Sequence, residues 1–138
     1  LLVNQDGEFF SRVILQASGI KFCKEAKIYY RSENDKSVSK VTTEDKAKSL
    51  LLSYQLYKQN ALTHEDSPRV RYALVCNFMN FIYQFNGRYP MLAQLAWEEI
   101  NSINTTKLPL VGGRYFKIIS GLIGFGNTLA LRKTLFKY

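Results

Sequence analysis

One segment governs what this chain can become: "SPRVRYALVCNFMNFIYQFNG", Ser67 to Gly87. Ser67 is a good N-cap, Pro68 suits a first helical turn and Gly87 supplies a stop, so the pattern predicts a helix over about 68–86. At 100° per residue, Arg69, Ala73, Asn77, Asn80 and Gln84 share one narrow stripe. Val70, Leu74, Val75, Phe78, Met79, Phe81, Ile82 and Phe85 cover most of the remaining circumference. A helix apolar on nearly every side has to be enclosed by protein, so its rings read as core rather than as an exposed stacking platform.

The flanking sequence offers the enclosure. From Asp6 as N-cap, Phe9, Phe10, Val13, Ile14 and Ala17 recur at helical spacing up to Gly19. Thr42 or Thr43, followed by acidic residues, opens a second helix with Ala47, Leu50, Leu51, Tyr54, Tyr57 and Ala61 on one face and Lys46, Ser49, Ser53 and Gln59 away from it. Pro90 starts another, with Leu92, Leu95, Ala96, Ile100 and Ile103 aligned and Trp97 beside them. Tyr115 to Phe125 and Leu129 to Phe136 give one broken helix or two short ones, interrupted by "GFGN". Between the first two helices, "AKIYY" and "SVSKV" around "SENDK" read as a short β-hairpin near 26–41 or a charged loop. The expected fold is all-α or mainly α, a compact bundle of about six helices around the central apolar one, forming a single domain over residues 1–138. With 138 residues, 46% of them hydrophobic, the chain can build a core without disulfides or metal. Leu1 stands where a Met would open a complete chain, so a processed or partial product of a longer protein is expected.

Net charge is +8, and its distribution is uneven. Residues 1–66 are nearly neutral, whereas residues 67–138 carry Arg69, Arg71, Arg88, Lys107, Arg114, Lys117, Arg132, Lys133 and Lys137 against only Glu98 and Glu99. No carboxylate side chain follows Glu99, the condition under which a basic surface attracts phosphates. Within this half "NGRYP" (Asn86 to Pro90) returns in part as "GGRYF" (Gly112 to Phe116). Gly lets backbone approach a ligand, Arg grips phosphate with two donors and Tyr offers a flat face to a base, each time at a helix start where amide dipoles favour anions. The plainer account is two helix starts, with the glycines making turns and Tyr89 and Tyr115 stapling the next helix to the core.

Other chemistry finds little footing. "GLIGFGNT" fits the outline of a phosphate loop, but Asn127 stands where the phosphate-gripping Lys belongs and no βαβ pattern surrounds it, so a kink or a close helix contact is the better account. His64, the single histidine, falls in the polar "NALTHEDSP" loop, and the consecutive Glu98 and Glu99 point about 100° apart on a helix. Cys23 and Cys76 lack metal-ligand spacing and suit reduced thiols inside a cell. The apolar stretch from Leu108 to Leu131 is interrupted by Arg114, Lys117, Pro109 and glycines, which argues against a membrane span.

These patterns lead to a non-enzymatic nucleic-acid-binding protein that coats or packages a strand, single-stranded RNA in the first place, without sequence preference. The nine cations would follow the backbone, with Tyr89 and Tyr115 stacking on bases. No metal, cofactor or small-molecule substrate is expected, and the location would be cytoplasmic or virion-associated, in the manner of a viral nucleocapsid. Coating implies self-association, with the charged 31–46 segment or the terminal "LRKTLFKY" as candidate arms. The alternative is a helical interaction or matrix-type protein attached electrostatically to an acidic partner or an anionic membrane surface.

Overall fold

The computed structural model describes residues 1–29, 43–105 and 107–135. Six helices follow one another: α1 (Gln5–Gln16), α2 (Glu44–His64), α3 (Pro68–Phe85), α4 (Pro90–Ile103), α5 (Arg114–Ile123) and α6 (Phe125–Leu135). They hold 71% of the described residues, which contain no strand. The hairpin expected near 26–41 falls mainly on residues 30–42, outside the described ones.

Helix α3 starts as its sequence requires, with the Ser67 hydroxyl accepting the Val70 amide at 3.3 Å and Pro68 in the first turn. It buries Leu74, Val75, Phe78, Met79, Phe81, Ile82 and Phe85, while Arg69, Ala73, Asn80 and Gln84 of the polar stripe stay exposed. The partners are Leu92, Ala93, Ala96, Ile100 and Ile103 of α4 and Ala47 and Leu51 of α2. Each large side chain fully enclosed here contributes about 1.5–3 kcal/mol, which makes this contact the main source of cohesion. A second tie joins α2 to α4: Glu99 accepts from Gln55 at 2.7 Å and pairs with Lys58, which also donates to Ser102 at 3.0 Å.

Helix α2 corrects the sequence expectation. Ser49 and Ser53, assigned away from its packed face, are buried, because the N-terminal segment lies over them. The Leu2 amide donates to Ser49 Oγ at 2.6 Å, and Asn4 Nδ2 donates to both Ser53 Oγ and the Tyr57 hydroxyl at 2.9 Å. These polar anchors fix the rotation of α1. Val3 and Glu8 turn inward, Glu8 held by Arg12 at 2.8 Å, and the apolar set Phe9, Phe10, Val13 and Ile14 is left exposed instead of joining the core. Helix α1 starts from Asn4 rather than Asp6 and ends at Gln16, short of Gly19.

The break at "GFGN" separates α5 from α6 at Gly124, whose φ of 84° and ψ of 155° suit glycine alone. Asn127 Nδ2 and Thr128 Oγ1 reach back across the break to the carbonyls of Ile123 and Gly124, each at 2.8 Å. Outside the local helix backbone, no described atom lies within 4 Å of where a Cβ would stand on Gly121 or Gly126, so the kink, and not a close helix contact, accounts for this glycine run. No helix among the described residues is long and apolar enough to cross a membrane.

Candidate nucleic-acid interface

The nine cations of the basic half do not share one setting. Arg69 and Arg71 lie on the first turn of α3, where the sequence just upstream supplies carboxylates. Arg69 pairs with Glu65 at 3.1 Å, and Arg71 grips both oxygens of Asp66 at 2.5 and 2.7 Å while donating to the Ile103 carbonyl at the end of α4. The Arg71 hydrogen bonds hold the Asp66 carboxyl below its ordinary range, and the Ser67 hydroxyl, helped by Arg69, does the same for Glu65. These two arginines fasten α3 to its entry loop and to α4. They also stand the length of α3, about 25 Å, from the Arg88 end.

At that far end Tyr83 is the hub. The Arg132 guanidinium lies 4.4 Å from the Tyr83 ring centre and donates to the Tyr83 carbonyl at 2.7 Å, a cation–π contact reinforced by a hydrogen bond. Phe116 meets the same ring edge-on at 4.7 Å, and Phe125 bridges Phe116 to Trp97, so an aromatic chain mounts α5 and α6 on α3 and α4. Gly112 completes the mount. With φ of 93° its backbone passes so close that a Cβ would stand 2.6 Å from the Tyr83 ring. Tyr83 was not singled out by the sequence, where it is one ring among many on α3.

Beside this hub a very shallow cleft of about 10 Å3 is lined by Tyr83, Gln84, Asn86, Gly87, Leu129, Arg132 and Lys133, with no carboxylate among them. Arg88 follows directly on Gly87, its guanidinium 5.3 Å from the centre of the Tyr89 ring, which in turn stacks on Phe85 at 6.2 Å. Tyr89 is therefore packed between the core and Arg88, the stapling role. The cleft thus brings Arg132 and Lys133 together with Gln84 and Asn86, polar neighbours that the sequence gave no reason to select, while Arg88 follows one residue beyond it with its guanidinium over Tyr89.

The second Gly-Arg-Tyr differs. Tyr115 is 82% exposed, and Phe116, the next residue, does the packing. Arg114, Tyr115 and Lys117 open α5, Lys107 lies in the loop before it, and all four are exposed. Lys107, Arg114, Lys117 and Lys133 form no ion pair among the described residues. Lys137 lies outside the described residues.

A separate polar cleft of about 310 Å3 lies between the C-terminal turns of α1 and α2, lined by Arg12, Leu15, Gln16, Gln59, Asn60, Thr63 and His64. His64 belongs to the last turn of α2 and not to the loop expected, because the helix continues through it to Glu65 as C-cap. Asn60 Nδ2 is buried there without a hydrogen-bond partner among the described residues. No group of three metal-binding side chains forms among the described residues. No family model, characterised protein or solved structure matches this chain.

Proposed function

We propose that the chain binds single-stranded nucleic acid, RNA in the first place, without sequence preference. The contact surface is Arg88, Arg132 and Lys133 around the α3–α4 turn, extended by Lys107, Arg114 and Lys117 near the start of α5, with the bare Tyr115 ring available to stack on a base. The observation that carries this reading is the cleft in which Arg132 and Lys133 meet the Asn86-Gly87 turn, with no carboxylate among its described lining residues. Glu99 adds to it, since its charge is taken by Lys58 and does not offset the basic end. Arg69 and Arg71 are assigned to structure and Tyr89 to supporting Arg88.

The test is titration of a labelled oligouridine at several salt concentrations, with a duplex and anionic vesicles as comparisons. Each phosphate neutralised contributes a slope of about −0.7 in log affinity against log salt, so four to six engaged cations give roughly −3 to −4. Lys133→Ala combined with Arg114→Ala lowers that slope by about 1.4 and leaves the fold intact. A salt-insensitive strand affinity, or binding confined to the vesicles, rejects the reading in favour of attachment to an anionic membrane.

A further inference from the structure

Besides the exposed face of α1 described above, two apolar surfaces are left uncovered among the described residues. The first is the segment after α1. Every residue from Ala17 to Tyr29 is exposed, and Ile20, Phe22, Ile28 and Tyr29 are 77% to 91% exposed. The segment has no helix and is interrupted by one turn, where the Ala26 amide donates to the Cys23 carbonyl at 3.3 Å, and such exposed side chains gain nothing where they are. The second is the outer face of α5, where Tyr115, Ile118, Ile119, Leu122 and Ile123 fall at helical spacing and stay 36% to 82% exposed, while Phe116 and Ser120 face inward.

We propose that residues 18–29 are an exchange arm that lies on the outer face of α5 in a second copy of this chain. Area favours it. At roughly 200 Å2 for a large side chain in the open, the arm offers about 700 Å2 and the face about 600 Å2. Each amount is at or above the largest apolar patch of an ordinary monomer, about 300–600 Å2. Joined, they remove at most about 1,300 Å2 from water, which reaches the lower end of the 1,200–2,000 Å2 of a stable specific interface. Reach also suffices, since twelve extended residues span up to about 40 Å and ten helical residues only about 15 Å. Residues 118–131 carry no charge, so Lys21, Lys24 and Lys27 of the arm meet no like charge along most of the face.

Because arm and face are different surfaces, copies can exchange arms as a closed pair or ring, or link head to tail into an open chain. The contact covers Tyr115 and so takes that ring from the stacking role proposed above, leaving strand binding to the cations. The contact itself needs no nucleic acid, so the two ideas fail separately.

The experiment is sedimentation velocity of the full chain, nuclease-treated and in high salt, over a range of concentrations. The wild type is expected to grow with concentration. The arm variant Phe22→Asp with Tyr29→Asp and the face variant Ile118→Asp with Leu122→Asp are each expected to stay monomeric with unchanged helical circular dichroism. Mixed in equal amounts they are expected to form a one-to-one pair, since one supplies the intact face and the other the intact arm. Leu122→Asp alone, at a site 80% exposed, replaces the face variant should the double change lower helicity. A monomeric wild type overturns the proposal, as does an arm variant that assembles normally. A mixture that stays monomeric overturns it as well, pointing to face-on-face pairing, and so does a wild type that ignores other copies and binds vesicles through the α5 face.

Discussion

Alanine at three glycines of the C-terminal third isolates what Tyr83 does. At Gly112 the backbone has φ of 93°, and an added Cβ would stand 2.6 and 2.9 Å from two Tyr83 ring atoms and 3.0 Å from Phe116. Backbone strain of about 1–3 kcal/mol and overpacking of about 1–3 kcal/mol together give Gly112→Ala a cost of about 2–6 kcal/mol. Gly124 has a comparable φ of 84° but open space around it, so Gly124→Ala carries only the strain, about 1–3 kcal/mol. Gly121 sits inside α5 with nothing nearby, and Gly121→Ala is expected to stabilise by about 0.5–1 kcal/mol. Urea denaturation followed by helical circular dichroism ranks the three. The decisive comparison is between Gly112 and Gly124, because the difference is the contact with Tyr83. Equal costs at the two sites would show that the ring yields freely, and the hub that positions Arg132 would not be rigid. With a rigid hub, Gly112→Ala also weakens strand affinity, since it displaces the ring on which Arg132 rests.

Acid should loosen the entry to α3. Glu65 and Asp66 are held below their ordinary carboxyl range, so the unfolded chain binds more protons as pH falls through about 4, and the stability these two contribute is present above that range and lost below the folded values. Thermal melts from pH 6 to 2 are expected to show the wild type converging on Glu65→Gln with Asp66→Asn as pH drops; a gap that stays constant with pH contradicts the assignment. Ser53→Ala removes one of the two acceptors of Asn4 Nδ2 from a fully buried site, with an expected cost of about 0.5–1.5 kcal/mol and faster proteolysis of the first residues. An unchanged midpoint and an unchanged cleavage rate would mean that the N-terminal segment is not anchored through this serine.

Much of the helical plan could be read directly from residue order. The Ser67-Pro68 start, the apolar circumference of α3, the Thr43 cap and the break at Gly124 are local matters, decided by dihedral preference and by periodicity within a turn or two. The rotation of α1 was not legible in this way. Its periodic set Phe9, Phe10, Val13 and Ile14 predicts an inward face, yet hydrogen bonds from Leu2 and Asn4 to Ser49 and Ser53, more than forty residues away, turn that face outward.

The basic surface divides along the same line. Residue order alone determined that positive charge accumulates after Glu99 and that no carboxylate side chain follows to cancel it. Only the tertiary structure decided which cations are spent on structure, as Arg69 and Arg71 are, and which come to one cleft, as Arg132 and Lys133 do. Likewise it left Tyr115 bare and packed Tyr89, two copies of the same tripeptide with opposite fates. The physical reason is range: caps and periodicity act within a helix, whereas charge pairing and ring packing depend on distances that exist only once distant segments have met.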